Sequence, residues 1–138
     1  MTTLAITGIG GFIGLRMAER ALALGWQVQG LDVSLAAAER AHALGVQVTV
    51  GDINDANAVR TALNGADIVF HTAAIVEEDG NRKDYERVNV DGTRIMLEEA
   101  VKAGVKQVYS TDAGIYPHGW NGKQFFHMVK WGMTPMQA

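Results

Sequence analysis

The sequence predicts an α/β fold with a doubly wound parallel sheet of about five strands, and three observations support this prediction. Short apolar segments of strand character alternate with helical segments along the chain. The predicted helices are followed by glycines, at Gly25, Gly45, Gly65 and Gly104. A glycine-rich turn joins the first strand to the first helix. Alternation at this spacing is typical of parallel sheets whose right-handed crossovers place helices on both faces.

Length and composition limit the class of protein. The 138 residues are enough for one domain, and 48% hydrophobic with 20% charged residues is ordinary for a globular chain. The net charge of −3 and the lack of a dense Lys/Arg stripe argue against nucleic-acid or acidic-membrane partners. The chain has no cysteine, so disulfides and thiolate metal sites are excluded. The start MTTLAITG leaves no room for a signal peptide, and no apolar run approaches the ~20 residues of a membrane span. We therefore expect a cytoplasmic protein.

The predicted elements follow from periodicity and capping residues. Strands are predicted at residues 4–7, 28–32, 46–50, 66–74 and 105–110. Four apolar residues of the first helix are spaced for one buried face: Ile13, Met17, Ala21 and Leu24. Ser34 is the expected N-cap of the second helix, and either Asp55 or Asn54 that of the third. A longer helix is predicted over residues 84–103.

The stretch TGIGGFIG at residues 7–14 predicts a phosphate-binding turn between the first strand and the first helix. Gly8 permits a tight turn, Gly11 lets the backbone approach a pyrophosphate, and Gly14 allows close packing of helix and strand. Phe12 and Ile13 lie in the same stretch, at the helix N-terminus that would face the phosphate charge. This pattern predicts a Rossmann-type dinucleotide-binding domain without a metal.

Asp32 supports this interpretation. It lies 18 residues after Gly14, close to the ~20 expected of the carboxylate that binds an adenosine ribose. Its charge favours NAD over NADP, because it would repel a 2′-phosphate. Arg16 and Arg40 are the cations that could counter this preference. A P-loop is excluded, since the only Gly-Lys pair is followed by Gln124.

The segments TGIGGFIG, GDIND, DIVFHTAA and YERVNVDGTRIMLEEA resemble the extended short-chain dehydrogenases/reductases. More narrowly, they resemble the NAD-dependent epimerase/dehydratase and 3β-hydroxysteroid dehydrogenase-like branch. The resemblance covers about residues 3–110, so residues 1–110 are predicted to form a dinucleotide-binding domain similar to the N-terminal half of those oxidoreductases.

The resemblance also implies roles for residues outside the glycine turn. Asp52 and Ile53 would border the adenine. Ala73 and Ala74 would line the cofactor beside its nicotinamide half. Asn89 would lie in the central helix near the active site.

The catalytic pattern of that family is missing. None of the five lysines has a tyrosine four positions before it, and Phe126 stands four before Lys130. In the family register Asp112 falls where a serine or threonine would donate a hydrogen bond, which an ionised carboxylate cannot do. If the register is shifted by one residue, Thr111 is the remaining candidate for this hydrogen-bond donor. We therefore expect a truncated, inactive NAD-binding half; a non-catalytic dinucleotide-sensing module is the alternative.

Residues 111–138 are predicted to be an atypical tail that replaces the catalytic and substrate-binding region. Residues 116–138 concentrate aromatic side chains and hold both prolines. A short helix is predicted there, with Phe125, Met128 and Val129 on one side. We expect it to cover an apolar flank of the sheet or to drive self-association.

Overall fold

The structure is a computed structural model that describes residues 1–76, 81–107, 123–130 and 132–135. Contacts divide the chain into two compact units, Met1–Gln107 and Val108–Ala138. In chain order the elements are β1 (Thr3–Thr7), α1 (Phe12–Ala23), β2 (Gln27–Asp32), α2 (Leu35–His42), β3 (Gln47–Val50), α3 (Ala56–Leu63), β4 (Ile68–His71), α4 (Arg82–Tyr85), a π-helix (Glu86–Gly92), α5 (Thr93–Ala103), β5 (Lys106–Gln107) and α6 (Lys123–Lys130).

The five strands form one sheet in the order β3-β2-β1-β4-β5, and every pairing is parallel. The predicted α/β, Rossmann-type doubly wound fold is confirmed. The sheet is incomplete at its C-terminal end, as predicted, and β5 is described over Lys106–Gln107. Thr7 pairs with Leu31 on one side and with His71 on the other. The carboxyl ends of the three central strands are therefore level, and the strand order reverses between β1 and β4.

Each face of the sheet carries its own apolar core. Leu4 and Ile6 of β1 face α1 and α2, whereas Ala5 between them faces α3 and α5. This alternation follows from the two-residue side-chain period of a strand. Helices on both faces thus bury both sides of β1, which holds the strand rigidly beneath the turn that follows it.

The buried face of α1 differs from the prediction. Ile13 and Leu24 are 59% and 53% exposed, and the buried positions are Gly14, Ala18 and Ala21. Small residues face the sheet because α1 lies very close to the end of β1. Apolar periodicity alone predicted that the larger side chains are buried. The predicted buried face is therefore rotated about the helix axis relative to the observed one.

The predicted helix caps are confirmed where the structure describes them. The Ser34 hydroxyl accepts a hydrogen bond from the Ala37 N–H at 3.3 Å. Of the two candidates for α3, Asp55 is the N-cap and accepts from the Asn57 N–H at 2.9 Å. Gly104 ends α5 with φ of 70°, a left-handed conformation that glycine adopts without steric cost.

The long helix predicted over residues 84–103 is helical throughout but not uniformly α-helical. Its middle, Glu86–Gly92, is a π-helix that separates α4 from α5. No periodicity in the sequence predicts this change of hydrogen-bond pattern. π-helical turns are rare and occur frequently at functional sites.

The second unit contributes α6, which confirms the predicted short helix. Met128 is buried, whereas Phe125, Phe126 and Val129 are 45%, 68% and 39% exposed. The three residues predicted to share one side therefore differ in burial. Docking against the sheet and self-association through this segment stay predictions. Trp120 and Trp131 lie outside the described residues.

Candidate functional site

A groove of about 440 Å³ lies at the carboxyl ends of β1 to β4. Open α/β sheets bind ligands at this edge, where the strand order reverses. Predicted site residues from four different loops line it: Gly8, Gly11, Asp32, Asp52, Ile53, Ala73 and Ala74. The fold thus brings together residues that are far apart in the sequence.

Gly8 makes the turn at the end of β1. Its φ is 68°, and its N–H donates to the Leu31 carbonyl oxygen at 2.8 Å. A Cβ at this position would lie 2.9 Å from the Ala73 backbone nitrogen. Both the positive φ and the contact with the chain after β4 therefore require glycine.

Gly11 and Gly14 have different roles at the start of α1. Gly11 is the N-cap and has no side-chain cap hydrogen bond, so the first N–H groups of the helix remain available to an anion. A Cβ at Gly14 would lie 2.8 Å from the Ile9 Cα and closer still to the Gly8 carbonyl oxygen. Phe12 and Ile13 do not line the groove, and their side chains are 83% and 59% exposed.

Asp32 accepts hydrogen bonds from the backbone of two loops at the edge of the groove. Its Oδ2 accepts from the Gly10 N–H at 2.9 Å, and its Oδ1 accepts from the Ser34 N–H at 3.0 Å. The residue is only 9% exposed. Each carboxylate oxygen keeps a further lone pair for a ligand hydroxyl.

The structure separates the two arginines considered from the sequence. Arg40 lines the groove, and its Nη2 donates to the Gly10 carbonyl oxygen at 3.0 Å. Arg16 does not line the groove and forms an exposed ion pair with Glu19 at 2.7 Å. Gly10 is thus held by Asp32 through its N–H and by Arg40 through its carbonyl. Nothing in the sequence pattern predicts this arrangement.

Asp52 lies at the end of the groove formed after β3. Its Oδ1 accepts from the Asn54 N–H at 2.9 Å, and its Oδ2 accepts from Arg87 Nη1 at 2.8 Å. Burial opposes ionisation, but hydrogen bonds from Asn54 and Arg87 outweigh it and lower the pKa of Asp52. Ile53 beside it is buried and packs against Gly92, where a Cβ would lie 2.6 Å from Ile53 Cγ2.

Asn89 fixes the backbone of the chain that forms one wall of the groove. It does not line the groove. Its Oδ1 accepts from the Ile75 N–H and its Nδ2 donates to the Ile75 carbonyl, each at 2.8 Å. The side chain therefore fixes the chain that leaves β4, in which Ala73 and Ala74 form the groove wall.

His71 joins three elements below this wall. Nδ1 hydrogen-bonds the Thr7 hydroxyl, and Nε2 hydrogen-bonds the Thr93 hydroxyl at 2.9 Å. The Thr93 hydroxyl donates to the Asn89 carbonyl at 2.8 Å, so Nε2 carries the imidazole proton and Nδ1 accepts from Thr7. Burial lowers the pKa of His71 to about 4. Both hydroxyl partners are distant from His71 in the sequence, by 64 and 22 residues.

Lowering the pH should destabilise the fold through His71. The unfolded chain protonates this residue near 6.5, whereas the fold holds its pKa at about 4. Well above pH 6.5, His71 is neutral in both states and its titration costs the fold nothing. As the pH falls toward 4 the unfolded state is protonated first, so the free energy of unfolding should be lower by roughly 2–3 kcal/mol at pH 4.5. Urea unfolding of wild type and His71→Gln at pH 7.5, 5.5 and 4.5 measures this. An equally steep decline in the variant would contradict it.

The candidate catalytic residue is not among those described. Thr111, like Asp112, lies outside the described residues. Within the described ranges no group of three His, Asp or Glu side chains could hold a metal ion. No helix in that part of the chain combines the length and apolar character that crossing a bilayer requires.

Comparison with known proteins shows a family match over a longer part of the chain than the resemblance described above. A model of the 3-beta hydroxysteroid dehydrogenase/isomerase family matches residues 5–126, so the match continues past residue 110 into the predicted tail. Sterol demethylase protein B of Methylococcus capsulatus is 34% identical over 99% of this chain. The chain spans only 41% of that protein.

Two solved structures are similar in fold and sequence. One is a short-chain dehydrogenase/reductase superfamily protein from Agrobacterium tumefaciens with bound NAD. It has a TM-score of 0.70 and 28% identity, covering 83% of this chain and 34% of the other. The other is the Bordetella bronchiseptica enzyme WbmH in complex with NAD+, with a TM-score of 0.71 and 28% identity, covering 87% and 43%.

Proposed function

The chain belongs to the 3-beta hydroxysteroid dehydrogenase/isomerase family, and we propose that it binds NAD in the groove at the carboxyl ends of β1 to β4. The observation that carries this proposal is the joint placement of Asp32 and the uncapped N-terminus of α1 on one groove. A carboxylate and a helix N-terminus are the groups that bind ribose hydroxyls and a pyrophosphate. The NAD bound by both solved relatives supports the same conclusion.

The residues present fit this cofactor. Gly8 and Gly14 bring backbone so close together that side chains are excluded there. Among the described residues, a Cβ at Gly11 would meet only the Gly8 carbonyl oxygen within 4 Å, at 3.2 Å, so the backbone of Gly11 is open to a ligand. Asp32 would accept the ribose hydroxyls, and Ala73 and Ala74 would border the nicotinamide half. When bound, NAD would supply a hydride acceptor.

The proposal includes a preference for NAD over NADP. Asp32 would repel a 2′-phosphate, and Arg40, a cation on the groove wall, already donates to the carbonyls of Gly10 and Ala36. Two of the five N–H groups of Arg40 are thus engaged by backbone carbonyls, which hold its guanidinium on the Gly10 peptide. Arg16 contributes nothing here because it lies off the groove.

We further propose that the chain as given does not catalyse turnover. No Tyr-x-x-x-Lys occurs in it, and Phe126 has no hydroxyl proton to transfer. The dinucleotide-sensing alternative shares this expectation. Self-association and a cytoplasmic location stay predictions from the sequence.

NAD binding without turnover is the expected result for the purified chain. Calorimetry should detect NAD binding to wild type and at least ten-fold weaker binding to Gly11→Val, whose side chain would occupy the pyrophosphate position. The Gly11 backbone has φ of −73° and ψ of 169°, which valine adopts readily. Valine is a poorer N-cap than glycine and its Cβ would lie 3.2 Å from the Gly8 carbonyl oxygen, so the free energy of unfolding should fall by about 1 kcal/mol, which urea unfolding measures. Unaltered binding by Gly11→Val would contradict the site. Steady NADH production that Gly11→Val abolishes would contradict the lack of turnover.

A further inference from the structure

We propose that Arg87 is a cofactor-binding residue that contacts the adenosine half of the dinucleotide with its guanidinium plane. This inference rests on the proposed NAD site. The sequence does not single out Arg87, and the ion pair with Asp52 and the groove geometry are what point to it.

The first observation is the position of the Arg87 side chain. It lines the groove beside Asp52, Ile53 and Val88. Asp52 fixes one end of the guanidinium through the 2.8 Å bond from Nη1. Arginine carries five N–H groups, and within the described residues Asp52 is the acceptor found for them. The remaining donors and the planar face are thus available, and the side chain is 49% exposed.

The second observation is the end of the groove at which Arg87 lies. Asp52 and Ile53 follow β3, which is the edge strand on the side of β2, whereas Ala73 and Ala74 follow β4 across the switch point. A dinucleotide that places its pyrophosphate at the β1 turn extends its adenosine toward β2 and β3. Arg87 therefore meets the adenosine and not the nicotinamide.

The third observation is the backbone that carries Arg87. The π-helix Glu86–Gly92 places Arg87 and Val88 on the groove while Asn89 holds the Ile75 backbone. Two of these three consecutive residues line the groove, and the third holds the chain that leaves β4. Guanidinium planes stack on aromatic faces and form directed hydrogen bonds, which an ammonium group cannot reproduce.

The test compares adenosine ligands across matched arginine variants. Calorimetry with NAD and ADP-ribose, and displacement with AMP, would be run on wild type, Arg87→Met, Arg87→Lys and Arg94→Met. Arg94 is the control, because it pairs with Glu98 at 3.0 Å on α5 and does not line the groove. Arg87→Met should weaken all three ligands by the same factor, roughly ten-fold. Arg87→Lys should recover only part of this loss, and Arg94→Met should bind like wild type.

Several outcomes would overturn the inference while leaving the NAD site intact. One is NAD affinity that Arg87→Met leaves unchanged. Another is a loss for NAD with none for AMP, since Arg87 would then act outside the adenosine half. Full recovery by lysine would remove the role of the guanidinium plane. Failure of wild type to bind NAD would instead refute the proposed function itself. Urea unfolding separates binding from folding, because loss of an exposed ion pair should shift the midpoint little.

Discussion

Replacing Gly14 with alanine should lower the free energy of unfolding by roughly 2–4 kcal/mol. Overpacking usually costs about 1–3 kcal/mol, and this site lies at the upper end because the obstructing atoms are backbone. The new Cβ would lie 2.8 Å from the Ile9 Cα and closer to the Gly8 carbonyl oxygen. Alanine gains about 1 kcal/mol in helix propensity over glycine, which is too little to change the sign. Urea unfolding with linear extrapolation measures the difference.

The matched control is Gly25→Ala at the other end of the same helix. Gly25 has φ of 76°, and a Cβ there would meet no atom of the described residues within 4 Å. Its substitution tests backbone strain without a clash and should cost about 1–2 kcal/mol without altering NAD binding. Gly14→Ala should cost more and should also weaken NAD binding, because α1 must move away from the Gly8 turn. Equal losses for the two variants would show that close packing at Gly14 is not required.

Replacing Asp32 with alanine should weaken NAD binding by roughly ten- to a hundred-fold. Hydrogen bonds to a charged group contribute about 1.5–3 kcal/mol, and the ribose would lose its carboxylate acceptor. The same change removes the acceptor of the Gly10 and Ser34 N–H groups, so the rim of the groove should loosen as well. Calorimetric titration with NAD and NADP measures both affinities.

Two further variants identify the cause of that loss. Asp67 also accepts a backbone N–H, from Thr3 at 2.8 Å, but does not line the groove. Asp67→Ala should therefore leave NAD affinity unchanged. In Asp32→Ala the repulsion of a 2′-phosphate is gone, so the preference should shift toward NADP, and adding Arg40→Ala should cancel that shift. Equal or tighter binding of NADP by the wild-type chain would refute the role of Asp32.

The sequence by itself was sufficient for the fold and for the conformation of the turn that follows β1. Strand and helix alternation predicts the sheet because local periodicity decides which residues face a core. The roles of Gly8 and Gly14 were also predictable, since positive φ and close packing both exclude a Cβ. Ser34 as a cap was readable because it bonds within its own turn. Each of these features leaves a local signal in the sequence, namely a periodicity, a glycine or a capping side chain.

Only the tertiary structure decided which distant groups meet. The sequence offered Arg16 and Arg40 as equivalent cations, but α2 places Arg40 on the Gly10 carbonyl and α1 places Arg16 away from the groove. It gave no indication that Arg87 would pair with Asp52, or that Thr93 would fix the tautomer of His71. Such contacts depend on the rotation of each helix about its axis. Packing against the sheet sets that rotation, and apolar periodicity determines it only to within a residue or so.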